Sequence, residues 1–348
     1  MKPCIAFTQA IQLTPWGAIS PCCWHKHRIP YKPGFKFTSL KNIFENDIEK
    51  MRQDNWPIGC IDCKTAEENN TRSRRHYLEK QGKIFTSQSI KIYDINLGNF
   101  CNLRCRMCNP GNSTGWFQER PGTAYDATDD TINDLVYSIT KSTETGTVYI
   151  ELKGGETFLM PSVEKFIDKL STISNTKNVH ISLSTNGTRF PSWSDKLKLF
   201  ETDISVSIDG FKETHNYIRG PESDYETILE NAKKLKEICY TDIHATITNY
   251  NVHEFAEFKL WIENELKMKV NYGFNFDIPH LGAWILPKKV KENILSKYFD
   301  TEYKDIIDIV KKPCDNNLLD KFYSFTKELD KSRNQKLKDV CPHLLEEA

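Results

Sequence analysis

The chain reads as an α/β protein built from parallel βα units, and three observations predict this. From Ile90 onward, short β-branched runs alternate with amphipathic stretches, the pattern of strands joined by crossover helices. Six such runs can be drawn, at 90–97, 147–152, 179–184, 203–208, 242–248 and 270–277. Directly after the first run come three thiols, Cys101, Cys105 and Cys108, and in barrels of βα units reactive residues gather at the carboxyl ends of strands.

Residues 1–88 precede that alternation and carry thiols of their own: Cys4, the pair Cys22-Cys23, and Cys60 with Cys63. Between them lie short extended pieces with turn residues, such as Thr14-Pro15-Trp16-Gly17 and Lys32-Pro33-Gly34, and a helix predicted over 40–52. Four thiols drawn from separated short elements make a closed site, either iron–sulfur or zinc. Cys23 is expected to be a buried hydrophobe. A second helix is predicted over 70–81. Its basic residues, among them Arg72, Arg74, Arg75 and Lys80, are expected on a solvated face, because Tyr77 alone supplies the aromatic interleaving that a nucleic-acid groove needs.

Helical periodicity fills the spaces between the later runs. It places Ile132, Leu135, Val136 and Ile139 on one face of 129–142, and Val163, Phe166, Ile167 and Leu170 on one face of 162–173. Two further helices are predicted over 225–239, with Cys239 in the core, and 253–266. Past Leu286-Pro287 the chain becomes helical and lysine-rich, with helices expected at 288–299, 302–311 and 318–329. Cys314 and Cys341 stand too far apart to suggest another metal site.

Strand ends carry further marks. The second run ends in Gly154-Gly155-Glu156, where the lack of side chains lets backbone approach a ligand closely. The third ends in Ser184-Thr185-Asn186-Gly187, and the fourth runs through Ser205 and Ser207 to Asp209-Gly210. Arg219 follows, and a guanidinium can donate two parallel hydrogen bonds to a carboxylate. The sixth ends near Asp277 and His280, where a carboxylate or imidazole could exchange a proton with substrate; a helix cap and a loop histidine are the plainer readings.

Composition sets the outer bounds. With 348 residues the chain can bury a substantial core. Lys+Arg and Asp+Glu both number 47, so no global field draws the protein to nucleic acid or to an anionic membrane. Apolar runs fall short of a membrane span and no signal-peptide pattern opens the chain, so a cytoplasmic protein is expected. Eleven cysteines in such a chain, clustered toward its first third, argue for metal rather than disulfides.

The octet Cys101-Asn102-Leu103-Arg104-Cys105-Arg106-Met107-Cys108 resembles the signature of the radical S-adenosylmethionine (SAM) superfamily. The resemblance implies a partial (βα)6 barrel of the TIM type. It further implies a [4Fe–4S] cluster held by Cys101, Cys105 and Cys108, with SAM on the open iron. One-electron reduction would cleave SAM to methionine and a 5′-deoxyadenosyl radical, which abstracts hydrogen from substrate. Met107, where the family usually has an aromatic, would pack near the adenine. Gly154, Gly155 and Glu156 resemble the motif that holds the SAM amino group, with Thr157 in place of the usual proline. By the same resemblance Ser184 and Ser207 would meet the ribose or methionine part, and Arg219 the carboxylate.

The N-terminal set, Cys4, Gly17, Cys22, Cys60 and Cys63, is similar to the twitch form of the auxiliary-cluster domain, and its spacing favours Cys22 over Cys23 as ligand. This implies a second, auxiliary [4Fe–4S] cluster that exchanges electrons with substrate. The expected division is a twitch-like domain over 1–88, the barrel over 89–286 and a helical segment over 287–348. Expected partners are an electron donor such as a flavodoxin or ferredoxin and a peptide, protein or small-molecule substrate. Two rival readings are a radical SAM enzyme acting on RNA and a non-catalytic iron–sulfur or zinc scaffold.

Overall fold

The computed structural model of the protein describes residues 2–35, 37, 40–69, 71–82, 89–298 and 301–345. Its α/β architecture contains a sheet of nine strands. Two compact units are distinguished: Met1–Phe100 with Ala124–Ser184 and Pro191–Asp203, and Cys101–Thr123 with Thr185–Phe190 and Ile204–Ala348.

In the first unit the strands are β1 (Ala10–Leu13), β2 (Ala18–Ser20), β3 (Ile29–Pro30), β4 (Ile92–Asn96), β5 (Val148–Lys153) and β6 (Val179–Thr185, all but its last residue). Their order is β3-β2-β1-β4-β5-β6. β1 runs parallel to β4, with Ala10 opposite Ile92 and Leu13 opposite Ile95, and antiparallel to β2. The parallel series continues with Ile92 opposite Tyr149 and Val148 opposite Val179. The short extended pieces of the N-terminal segment thus become strands that prolong the barrel sheet.

Alternation decides which face is which. β5 buries Val148, Ile150 and Leu152 and half-exposes Tyr149, Glu151 and Lys153; β6 buries Ile181 and Leu183 and exposes Ser182 and Ser184. The apolar faces of helices Asp129–Thr143 and Pro161–Leu170 supply Ile132, Leu135 and Ile139, and Val163, Phe166, Ile167 and Leu170, to the core. Thr128 caps the first of them by accepting from Thr131 N, and Pro161 opens the second, where its missing N–H has no partner to lose.

The second unit holds the last four residues of β7 (Glu201–Ser207), β8 (Tyr240–Ile247) and β9 (Val270–Phe274), in the order β7-β8-β9. β8 and β9 are parallel, with Ile243 opposite Val270. Helices Lys212–Arg219, Tyr225–Lys236, Phe255–Trp261 and Asn316–Arg333 belong to this unit.

Several boundaries differ from the sequence reading. The helix expected at 40–52 is two pieces, Leu40–Ile43 and Glu45–Arg52, broken at Phe44, whose buried ring packs against Phe7 and His25. The helix expected at 70–81 is Arg74–Gly82, and residue 70 lies outside the described residues. That at 253–266 is Phe255–Trp261 followed by a π turn, Ile262–Leu266, which ends at Lys267 with φ +52°. The last strand stops at Phe274 because the Asn275 side chain accepts from Asp277 N and Ile278 N, turning the chain. Lys288–Leu295 is shorter than 288–299, whose end at 299 lies outside the described residues, and Asn316–Arg333 is longer than expected. Among the described residues no helix is long and apolar enough to cross a membrane.

Candidate active site

Three thiols in eight residues need a loop that cannot collapse, and this loop is fixed through its backbone. Ser113 Oγ donates to the Leu103 carbonyl at 2.5 Å and Trp116 Nε1 to the Cys105 carbonyl at 3.2 Å. Thr114 Oγ1 accepts from Cys101 N and faces the Cys101 carbonyl, both at 3.1 Å. Gly115 is required here, since a Cβ would lie 2.4 Å from the Leu103 carbonyl oxygen. A turn closes from Cys108 N to the Cys105 carbonyl at 2.9 Å. The side chains are thereby left for a ligand.

The surroundings of two of the sulfurs favour the protonated thiol until a cation binds. Leu103 N points at Cys101 Sγ from 3.4 Å and Asn186 Nδ2 from 3.8 Å, both weak donors. Burial pushes the Cys105 and Cys108 thiols up, Cys108 to about 12, and at Cys105 the positive charge of Arg219 opposes that shift. A soft cation would displace these protons on binding.

Helix Lys212–Arg219 ends against the same loop. Arg106 N donates to the Ile218 carbonyl at 2.7 Å and Arg106 Nε to the Tyr217 carbonyl at 2.9 Å. Arg219 Nε lies 2.5 Å from Asp209 Oδ2, and Asp209, wholly buried, also accepts from Thr246 N at 2.8 Å. So Arg219 lies beside the thiol loop, but already paired. Met107 and Ser207 are half-buried in this unit, and Asn275 Nδ2 reaches toward the Met107 carbonyl at 3.5 Å. Asp277 is exposed in the turn after β9.

Gly154, Gly155, Glu156 and Ser184 belong to the first unit. Gly154 has φ +152°, and a Cβ on Gly155 would stand 2.3 Å from the Phe100 carbonyl oxygen. Glu156 N donates to that same carbonyl at 2.6 Å, while Glu156 Oε1 accepts from Phe158 N at 3.0 Å. Thr157, where the resemblance expects proline, donates its hydroxyl to the Ser184 carbonyl at 2.7 Å. That bond secures the turn which a proline ring would otherwise stiffen.

Also in this unit, Cys4, Cys22, Cys60 and Cys63 line one cavity together with Phe7 and Met51; Cys23 is not among its lining. Burial pushes Cys4 and Cys22 up to about 12. Burial raises the Cys23 thiol too, with smaller contributions from Arg74, Asp94, Lys153 and Glu151; Cys23 is half-buried, where a buried hydrophobe was expected. Among the described residues no three His, Cys, Asp or Glu side chains stand close enough to hold a single metal ion.

Sequence reasoning missed Asp209, Arg106 and Asn186. Asp209 precedes a glycine and reads as turn chemistry, Arg106 lies inside the motif but outside its ligands, and Asn186 sits in a run of turn residues with no chemistry of its own. Only their partners reveal them.

Residues 95–262 match the model of the Radical SAM superfamily. GTP 3′,8-cyclase of Haemophilus influenzae is 24% identical over 213 residues, covering 57% of this chain and 60% of the relative. Sporulation killing factor maturation protein SkfB of Bacillus subtilis is 25% identical over 169 residues, covering 47% and 37%. The chain thus spans less than two thirds of the length of either curated relative. In fold it is similar to hexahistidine-tagged anSMEcpe solved with bound AdoMet, with a TM-score of 0.50 and 19% identity over 63% of this chain and 60% of that one. The α/β fold with its nine-stranded sheet is the (βα)n partial barrel found in radical SAM enzymes, and the match to the Radical SAM superfamily model lies over residues 95–262 of it.

Proposed function

We propose that this chain is a cytoplasmic radical SAM enzyme that abstracts hydrogen from a peptide or protein residue or a small molecule. The observation that carries the reading is the thiol loop: Cys101, Cys105 and Cys108 on a backbone whose carbonyls are tied elsewhere, at the start of the matched domain. A [4Fe–4S] cluster held by these three thiolates, with SAM on its open iron, would supply reductive cleavage to a 5′-deoxyadenosyl radical. The chain's own residues hold and screen. Cys101, Cys105 and Cys108 ligate; Gly154, Gly155 and Glu156 offer backbone and a carboxylate to the SAM amino group; Met107, Ser184 and Ser207 contact its other parts. The electron comes from a donor such as a flavodoxin or ferredoxin.

Residues 1–88 supply a second, auxiliary cluster of twitch type held by Cys4, Cys22, Cys60 and Cys63, which the shared cavity of these four thiols supports. For the substrate, the first unit offers a cavity of about 440 Å³ on the polar face of β5 and β6, lined among others by Arg74, Glu151, Lys153, His180, Ser182 and Ser184. Its ion pairs, Arg74–Glu151 at 3.3 Å and Lys153–Glu151 at 3.5 Å, leave little surplus charge. That favours a polar, near-neutral group such as a peptide segment over a polyphosphate. The name of SkfB, a maturation protein, agrees with that direction. Asp277 at the end of the barrel is a candidate for proton exchange with substrate.

The test is 5′-deoxyadenosine formation by anaerobically reconstituted protein with SAM and a strong reductant, comparing wild type with Cys105→Ala. Product from wild type alone is expected. Equal yields from both, or none from an iron-loaded wild type supplied with candidate peptides, would refute the reading.

A further inference from the structure

In the first unit, a cavity of about 280 Å³ lies between the β1–β2 turn and the segment that follows β4. Trp16, Tyr31 and Tyr125 line it together with Leu13, Leu97 and Asp126. None of the cysteines lines it, nor do Gly154, Gly155 and Glu156, so it is no part of the site proposed for SAM. Its walls are fixed through the backbone. Tyr31 N donates to the Gly17 carbonyl at 2.7 Å and Ala18 N to Thr14 Oγ1 at 2.9 Å, which holds the turn bearing Trp16. The Tyr31 hydroxyl donates to Asp134 Oδ2 at 2.5 Å, and its ring stacks on Phe37 with centroids 6.0 Å apart. Tyr125 N donates to Asn99 Oδ1 at 2.8 Å and Ala127 N to the Leu97 carbonyl at 2.7 Å, which fixes the segment bearing Tyr125 and Asp126. The cavity is therefore formed before any ligand arrives.

Its chemistry is one-sided in charge. Among the described residues that line it, Asp126 alone carries a formal charge at neutral pH, and that carboxylate has no ion pair among the described residues. Trp16 is 46% exposed and Asp126 is exposed, so solvent reaches both. Aromatic faces attract cations, a carboxylate adds to that attraction, and apolar walls suit the alkyl stem of a long basic side chain. The chain itself shows the attraction at Trp16, where Arg28 Cζ stands 5.5 Å from the ring centroid; Arg28 is not among the lining residues. An anionic ligand would meet Asp126 as a like charge.

We infer that this cavity binds a basic side chain, lysine or arginine, of a peptide, with its methylenes against Leu13 and Leu97 and its charge against the aromatic rings and Asp126. This rests on the proposed peptide or protein substrate. Leu97 follows directly on β4, on the way to Cys101, so the pocket would hold a substrate residue at the strand end that leads into the thiol loop.

The experiment is a saturation-transfer NMR titration of the reconstituted full chain with N-acetyl-glycyl-lysyl-glycinamide. The control is the same peptide with norleucine, which keeps the four-carbon stem and lacks the charge. The lysine peptide is expected to bind about threefold to thirtyfold more tightly than the control, the range a cation over aromatic rings supplies. Trp16→Ala and Asp126→Asn should each reduce that preference, while Tyr125→Phe, which keeps the ring, should preserve it. Asp126→Asn changes only charge at an exposed position and so gives an answer even if Trp16→Ala fails to fold. Equal affinity for the two peptides in wild type, or a preference untouched by both Trp16→Ala and Asp126→Asn, overturns the inference. The 5′-deoxyadenosine assay reads the enzyme separately. Selective lysine binding by a protein unable to cleave SAM would uphold this site and refute the proposed function.

Discussion

The guanidinium of Arg106 lies over the ring of Tyr217, with Cζ 3.6 Å from the ring centroid, and its Nε donates to the Tyr217 carbonyl. Arg106 is wholly buried between two of the three motif cysteines, and its outer nitrogen reaches Asp330 at 2.6 Å and Gln335 at 3.0 Å. One side chain thereby joins the thiol loop, the end of helix Lys212–Arg219 and the end of helix Asn316–Arg333. Removing one member of a buried ion pair costs about 3–5 kcal/mol, since the other is left uncompensated. Arg106→Met should cost this much in chemical denaturation, whereas Asp330→Asn, which leaves a polar partner, should cost less. Arg106→Lys should not rescue fully, because an ammonium lacks the planar fork that both stacks and donates.

Iron content checks the N-terminal thiols. If Cys4, Cys22, Cys60 and Cys63 hold a second cluster, Cys60→Ala should lower iron from about eight to about four atoms per chain. Cys23→Ala should leave it near the wild-type level, since Cys23 is absent from the cavity that the four share. Equal loss in both variants would exchange the roles of Cys22 and Cys23 or dissolve the site.

These two sites differ in how far sequence alone could reach them. The thiol triplet, the alternation of strands and the double glycine are local signals, and local signals survive without coordinates: β4, β5, β6 and β8 fall within a few residues of where periodicity put them. What periodicity could not supply was partnership across the chain. Arg219 and Asp209 are ten residues apart and Arg106 and Asp330 more than two hundred, and no spacing rule links them. The strands β1 to β3 are two to four residues long, too short for an alternation to declare itself, and they owe their conformation to pairing, β1 with β4, β2 with β1 and β3 with β2. Likewise the end of β9 is set by one asparagine side chain, not by the apolar pattern that continues past it.

Gly155 offers a sharper test of the loop after β5. An added Cβ would stand 2.3 Å from the Phe100 carbonyl oxygen and 2.5 Å from the Asn99 carbonyl carbon, both backbone and unable to turn aside. Gly155→Ala should therefore displace the segment ending at Phe100 and weaken the Glu156 N to Phe100 carbonyl bond, at a cost of about 1–3 kcal/mol. SAM affinity measured by equilibrium dialysis should drop by at least about tenfold, which corresponds to about 1.4 kcal/mol. Thr157→Val, which removes only the hydroxyl bond to the Ser184 carbonyl, should have the smaller effect. A Gly155→Ala protein with wild-type affinity and stability would show that the close approach has no role in binding.

Glu254 gives the protein a pH dependence whose sign can be worked out. Its carboxylate accepts from Phe211 N at 2.9 Å, yet burial, helped by the like charges of Glu257 and Glu213, raises it to about 7 from 4.5. His253 Nε2 stands 3.6 Å away, but burial lowers that imidazole to about 3, so it is neutral and gives no ion pair in this range. The folded state therefore binds the proton more tightly than the unfolded chain. Stability from this group is complete below pH 4.5 and is lost as pH rises through about 7. The loss is at most about 3 kcal/mol, and smaller in so far as Glu254 keeps some contact with water. Glu254→Gln can still accept from Phe211 N through its amide oxygen and carries no charge at any pH. Thermal denaturation between about pH 5 and 8 should show the wild type losing stability toward the alkaline end relative to Glu254→Gln, whose profile should be flatter. Parallel profiles for the two proteins would mean that Glu254 stays ionised in the fold, held by Phe211 N and Thr214 against the effect of burial.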